Sequence, residues 1–361
     1  MFRFSLHHRA SEEIALAGKP VGKMSSNLSI LSEPPDDVLI VEEQGTPVIY
    51  IFAAVVLGFI GFFGFILNLL VILTVVKNAN TLWTPNNVIL VNMVIGDLSV
   101  AALGNPIAMT SAIAGSWYWN HTMCLGYAWF MTTMGFASIG NLTIMAIERF
   151  LLVTCPMKIL SLRHAYILAL LVWIYALSLS LPPLFNWGTY GPEAGNISCS
   201  VSWEIHDSET HNESYIGFIF IIGFFLPVTI IISSYYGIIR SLKRMGRRIG
   251  QNNRRERKIT MMVYLMIIAF LIAWLPYAIL ALAVQYFYVQ TSQAVAVLPA
   301  LLAKSSICYN PIIYASLNVQ FCRTWKKMFS INTNSRTANN TTIGMTTMSR
   351  IKMKNSNRPL K

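Results

Sequence analysis

The sequence predicts an all-α membrane protein: a seven-transmembrane helix bundle with a short amphipathic cytoplasmic helix after the seventh span. Three observations carry this. The 361 residues are 55% hydrophobic and only 12% charged, whereas a soluble domain is about a quarter charged. Seven predominantly apolar stretches run near 49–76, 86–113, 124–152, 165–186, 215–239, 259–285 and 294–316, and about 20 apolar residues suffice to cross a bilayer. Lysine and arginine crowd into 240–258 and the C-terminal tail and are absent from 187–214 and 286–293. The basic side is therefore cytoplasmic, and an odd number of spans puts the N-terminus outside. The formal net charge of +12 lies mostly on that inner face, where anionic lipid and a cytosolic partner explain it without nucleic acid.

Four segments follow: 1–47, 48–317, 318–330 and 331–361. The first is polar, reads as a disordered extracellular N-terminus, and has no apolar core of a cleavable signal peptide. Asn27, Asn120, Asn196 and Asn212 each open an Asn-X-Ser/Thr triplet on the outer side. Asn141 lies in a span and Asn339 inside, so neither is expected to carry sugar. Span one holds Asn68 and span two Asp97. A carboxylate at membrane depth is expected to face the bundle interior, in a polar network with Asn68 and Asn310.

Cys124, at the head of span three, and Cys199, in loop 187–214, face the oxidising side and are expected to form a disulfide. Cys155, Cys308 and Cys322 should be free thiols. Span three ends in Glu148-Arg149-Phe150. Glu256, before span six, offers a second acid on the same side for a charged latch. Loop 187–214 carries Glu193, Glu204, Asp207, Glu209 and Glu213 and no lysine or arginine. Glu193 stands apart. A bridge from Cys199 pins its part of the loop over the bundle, aimed toward Lys304.

Span six reads Phe270-Leu-Ile-Ala-Trp274-Leu-Pro276-Tyr277, a proline hinge beside an aromatic cluster. Pro182-Pro183, Pro227, Pro276 and Pro311 all fall within predicted spans, and neighbouring helices can re-satisfy the backbone groups a proline frees. Span seven holds Lys304 in an apolar segment. An ammonium there marks a functional site by default, and Lys304 is read as the anchor of a covalently bound aldehyde. Segment 318–330 alternates apolar and basic residues at helical spacing, as an interfacial helix does, with Cys322 a candidate for palmitoylation. The Ser/Thr-rich tail beyond reads as disordered and phosphorylatable.

From about Gly64 to Phe321 the chain resembles the opsins of the rhodopsin-like G-protein-coupled receptors. Asn68, Asp97, Cys124, Glu148-Arg149-Phe150, Trp173, Pro182-Pro183, Cys199, Pro227, Tyr235, Trp274-Leu-Pro276-Tyr277 and Asn310-Pro311-Ile-Ile-Tyr314 carry the receptor resemblance. Ala303-Lys304-Ser305-Ser306 before Tyr309-Asn310-Pro311 resembles opsins specifically. Asn318-Val-Gln320 is similar to the segment that ciliary opsins offer to inhibitory-class G proteins. The non-visual ciliary group, encephalopsin- or pteropsin-like, is the nearest in kind.

The resemblance implies retinal bound through Lys304, as 11-cis or another cis isomer in the dark and all-trans after light. It implies a pocket of Trp274, Tyr277, Phe224, Phe220, Gly135 and Thr132 under a lid with Glu193 and Trp203. Tyr127 stands where vertebrate visual pigments place a glutamate and is no anion at neutral pH. Glu193 matches the loop counterion of opsins lacking that acid, which implies a bistable pigment. Glu148, Arg149, Glu256, Tyr235, Asn310, Pro311, Tyr314, Asn318 and Gln320 are implied in switching and G-protein coupling. A heterotrimeric G protein of the inhibitory Gi/Go class is the expected partner, with arrestin and receptor kinase at the tail. A photoreceptive cell's plasma membrane is the expected location.

Three rival readings fit the residues less well. An ordinary ligand receptor for amines wants an acid in span three, which has none before Glu148. A retinal photoisomerase need not keep Glu148-Arg149, a basic third loop and a phosphorylatable tail. A light-driven pump needs a relay of membrane carboxylates, and only Asp97 is at hand.

Overall fold

The computed structural model describes residues 47–155, 160–205, 209–245, 253–317, 321 and 324–325, with only the backbone described at 47, 242–243, 245, 253–257 and 315. Among the described residues seven helices are long and apolar enough to cross a membrane: α1 Val48–Lys77, α2 Pro85–Ala114, α3 His121–Thr154, α4 Leu162–Ser180, α5 Asn212–Ser241, α6 Lys258–Phe287 and α7 Gln293–Tyr314. They match the seven predicted spans one for one.

Local chemistry sets the helix ends. The Asn120 side chain accepts from the Met123 N–H (2.9 Å) at the start of α3. Thr84 and Ser161 cap α2 and α4 in the same way. Each cap satisfies one of the N–H groups left over in the first turn. Gly115, at φ 77°, ends α2 in the left-handed conformation.

The prolines need one correction. Pro182-Pro183 lie outside a span: α4 stops at Ser180, and Pro182–Phe185 form a single 3₁₀ turn. Two consecutive residues without an N–H cannot extend the ladder. Pro276 and Pro311 do remain inside helices, joined by Pro299. Pro106 and Pro227 each follow a π-helical turn, Val100–Gly104 in α2 and Ile221–Phe225 in α5. The wider turn absorbs the missing bond, as such bulges commonly do near functional sites.

Helix α3 runs through the middle of the bundle and packs on α2, α4, α5 and α6. Buried polar ties add to the packing. Trp173 Nε1 donates to Asn92 Oδ1 (2.8 Å) and Asn92 Nδ2 to Asn141 Oδ1 (2.9 Å), which joins α2, α3 and α4. Interhelical bonds of this kind are worth roughly 0.6–2 kcal/mol each in a membrane. At Gly64 an added Cβ would stand 2.8 Å from Ile307 Cδ1 and 3.3 Å from Ala101 Cβ. A glycine there lets α1, α2 and α7 meet.

The loop between α4 and α5 is more ordered than a connection. Strands β1 (Tyr190–Pro192) and β2 (Cys199–Val201) pair antiparallel, Tyr190 opposite Val201 and Pro192 opposite Cys199. The expected disulfide Cys124–Cys199 fastens β2 to the top of α3. Tyr190 ties β1 to the end of α4, its hydroxyl donating to Ser180 O (2.7 Å). Burial pushes that phenol up to about 12, so it stays a neutral donor. The hairpin is thus a lid held at both edges.

Asn212 secures the lid's far end. Its Nδ2 donates to Ser202 O and to Ile205 O (both 2.8 Å), and its Oδ1 accepts from Thr189 N (3.1 Å). It is fully buried, so the glycosylation expected there does not fit the folded chain. Asn120 and Asn196 are exposed. Asn27 lies outside the described residues, as do Asn318, Gln320 and Cys322. Of the expected amphipathic helix only Phe321, Thr324 and Trp325 are described; Trp325 Nε1 donates to Thr74 Oγ1 in α1 (2.7 Å).

Candidate functional site

A cavity of about 170 Å³ lies under the lid between α2, α3, α5, α6 and α7. Lys304 from α7 and Glu193 from the lid meet at one end. Lys304 Nζ stands 3.9 Å from Glu193 Oε2. The Ser198 hydroxyl lies between them: it accepts from Lys304 Nζ (3.3 Å) and donates to Glu193 Oε2. Tyr277 OH donates to the other carboxylate oxygen, Glu193 Oε1 (2.8 Å), lies 3.0 Å from Ser200 Oγ, and accepts from Trp203 Nε1 (3.1 Å).

Burial alone would push the Glu193 carboxyl up. The Lys304 ammonium, with hydrogen bonds from Ser198, Tyr277 and Ser200, brings it instead below the usual carboxylate value. The lid therefore presents a fixed negative charge to the end of α7.

The remaining wall is apolar. Trp274 stacks on Phe270 (centroids 5.7 Å) and donates from Nε1 to Ser306 Oγ (3.3 Å). Its ring lies against the backbone of α3, where a Cβ on Gly135 would be 3.1 Å from Trp274 Cη2. Phe220 enters from just before the π turn of α5 and Phe224 from within it, and Thr132 and Tyr127 enter from α3. The Tyr127 hydroxyl is buried and meets no partner among the described residues. Every residue expected at the pocket thus lines one cavity.

Other lining residues were not singled out in the sequence. Met131, Met134 and Ser138 continue the face of α3 that holds Tyr127 and Gly135, and steps of three and four from Tyr127 would have found them. Ser198 and Ser200 flank Cys199, and nothing in a single loop sequence reveals that they turn inward. Asp97 also lines the cavity, at its far end.

The expected polar network is partly rearranged. Asn310 Nδ2 does donate to Asp97 Oδ2 (3.1 Å). Asn68 bonds backbone instead, donating to Gly64 O (2.8 Å) and Ile307 O (3.0 Å). Carbonyls of α1 and α7 satisfy its Nδ2 without reaching the carboxylate, and its Oδ1 is buried without a partner among the described residues.

At the opposite end of the bundle from the lid, Arg149 grips its neighbour Glu148 through two bonds, Nε to Oε2 (2.9 Å) and a terminal nitrogen to Oε1 (2.8 Å). The expected Arg149–Glu256 latch lies outside the described side chains. Tyr235 OH reaches Thr260 O on α6 (3.4 Å). Tyr314, one turn beyond Asn310-Pro311, is fully buried beside Phe321.

An apolar cavity closed at one end by a primary amine fits a long apolar aldehyde. For such a ligand the amine would supply the covalent anchor, the facing carboxylate the balancing charge, and the Tyr127 hydroxyl a further polar contact. Among the described residues no cluster of His, Cys, Asp or Glu is arranged for a metal ion.

Comparison with known proteins agrees with this architecture. The family model described as 7 transmembrane receptor (rhodopsin family) matches residues 67–314. Rhodopsin of Sminthopsis crassicaudata is 34% identical over 283 residues, 75% of this chain and 78% of that protein. The green-sensitive opsin of Gallus gallus is 34% identical over 269 residues, 72% of this chain and 74% of that protein. The crystal structure of squid rhodopsin superposes with a TM-score of 0.73 at 26% identity, covering 80% of this chain and 87% of that one. The chain is an integral membrane protein that belongs to the rhodopsin family of seven-transmembrane receptors, among the opsins.

Proposed function

We propose that this protein is a light-sensing receptor that binds retinal through Lys304 and activates a heterotrimeric G protein of the inhibitory Gi/Go class. The observation that carries the reading is the Lys304–Glu193 pair at the end of an apolar cavity. Retinal supplies an aldehyde that condenses with the Lys304 amine, with loss of water, and a polyene whose double bond light isomerises.

The chain's own residues do the rest. Glu193 holds the proton on the Lys304 nitrogen, since an opposite charge close by favours the charged form. Ser198 and Tyr277 hold the carboxylate in place. Trp274 presses on α3 at Gly135 and stands two residues before Pro276, where α6 lacks a backbone bond and can bend. A change of shape in the cavity that displaces Trp274 is passed along α6 to its inner end beside Arg149. Two ligand shapes with different free energies in one cavity suffice to shift such an equilibrium.

Glu193 on the lid, with Tyr127 on α3, supports a bistable pigment of the non-visual ciliary kind. The N-terminus is extracellular and the basic face cytoplasmic, in the plasma membrane of a photoreceptive cell. Arrestin and receptor kinase act on the tail. The role is that of a receptor, not an enzyme.

The test is a dark and post-illumination spectrum of the purified protein supplied with retinal, for wild type and Lys304→Ala. A visible band in wild type alone, shifted by light and still visible at neutral pH, is expected. A photoproduct that releases free retinal removes bistability. No band in either folded protein removes the chromophore.

A further inference from the structure

The tip of the lid is a tight turn. Glu193 N donates to Ser198 O (2.9 Å) and Asn196 N to Glu193 O (2.7 Å), and Asn196 takes a left-handed φ of 50°. Gly195 sits at this tip, buried. It is not among the positive-φ glycines, so its backbone would accept any residue. Space would not. A Cβ there would stand 2.5 Å from Val297 Cγ2 and 3.9 Å from Gln293 O. Side-chain carbons do not approach that closely, so the Val297 side chain, stiff at χ1 in a helix, or else the tip or α7 would have to move.

The wall it leans on is braced. Tyr50 OH donates to Gln293 Oε1 (2.9 Å), which ties the start of α7 to α1. The other side of the lid is fixed by Cys124–Cys199. A second, small cavity of about 10 Å³ lies behind the tip, between Leu57 of α1, Ala108 of α2 and Ile197 of the lid. Glu193 and Lys304 line both cavities and form the partition between them. The height of the tip on Val297 therefore sets where the carboxylate stands.

We propose that Gly195 is a positioning residue: by seating the lid directly on Val297 it sets the separation of Glu193 from Lys304. The inference rests on the retinal reading for its spectral consequence and on the lid geometry alone for its structural one. The titratable groups facing the pair are Tyr127 from α3, Tyr277 from α6 and, at the far end of the cavity, Asp97 from α2. None of them is touched by the variants below.

The experiment compares wild type, Gly195→Ala, Val297→Ala and the double variant by two readouts. The first is amide hydrogen exchange over residues 190–202 of the apoprotein. The second is a pH titration of the visible band after retinal is added. Gly195→Ala is expected to speed exchange at 193–198 about tenfold. It should also lower the pH at which the band is lost by roughly half a unit to one unit, the effect of about one extra ångström in the pair at an effective dielectric constant near 20. The double variant, with room for the new methyl, should restore both. Unchanged exchange in Gly195→Ala, or a folded double variant that restores neither readout, overturns the proposal. A wild type without a visible band overturns the retinal reading instead, and the exchange data still decide the role of Gly195.

Discussion

Lys304 Nζ and Glu193 Oε2 stand 3.9 Å apart, with the hydroxyl of Ser198 bonded to both. The pair spans two elements far apart in sequence, the lid hairpin and the seventh helix. At an effective dielectric constant of about 20, charges at this separation interact by roughly 4 kcal/mol, or about three pH units. Glu193→Gln should therefore move loss of the visible band toward neutral pH by about that much. A spectroscopic titration measures it, and an unmoved midpoint would relieve Glu193 of the counterion role.

Acid should weaken the apoprotein through the same residue. The folded carboxyl of Glu193 titrates below its usual value, so its contribution is complete above the unfolded value, near 4.5, and is lost as pH falls through the folded one. Thermal melts in detergent from pH 7 downward should show Tm falling more steeply for wild type than for Glu193→Gln. Parallel curves would mean that the pair adds nothing to the fold.

Gly135→Ala should disturb Trp274. The new methyl would lie 3.1 Å from Cη2 and 3.6 Å from Cζ2, and overpacking of this kind costs about 1–3 kcal/mol. The indole must give way or the helices part. Nucleotide exchange on a G protein in the dark should rise above wild type, because the strain falls on the ring that holds α6 in place. Dark activity equal to wild type, with Tm unchanged, would show that the ring yields freely.

Reduction should loosen the lid. Cys124–Cys199 closes a loop with a sequence separation of 75, for which chain entropy gives about 4.5 kcal/mol. Cys124→Ser should lower Tm by several degrees and speed proteolysis between α4 and α5. Unchanged cleavage there would show that Tyr190 and Asn212 hold the hairpin unaided.

Much of this was legible in the sequence. Seven apolar runs specify seven helices because the bilayer sets a length and forbids unpaired backbone. Lys304, Trp274 and Tyr277 stand out because charge and proline are costly at membrane depth, and Glu193 because a bridge from Cys199 pins its part of the loop over the bundle. What escaped depends on closure in three dimensions. The inward turn of Ser198, the hairpin that carries it, and the bond from Tyr277 to Glu193 need β1 paired with β2 over α3. Asn68 misled because sequence shows an amide but not which carbonyls lie near it. Pro182-Pro183 misled because hydropathy continues past the point where the backbone ladder fails.

Asn212 has a consequence for how the chain is made. It opens an Asn-Glu-Ser triplet, yet both protons of its Nδ2 are given to Ser202 O and Ile205 O. A sugar and those two bonds cannot share one nitrogen. During synthesis the triplet is therefore the object of a race between the glycosylating enzyme and the closing hairpin. Whichever arrives first excludes the other. A molecule carrying sugar at Asn212 is one whose lid was never tied down at this end, so its altered gel mobility would count incomplete closure instead of maturation.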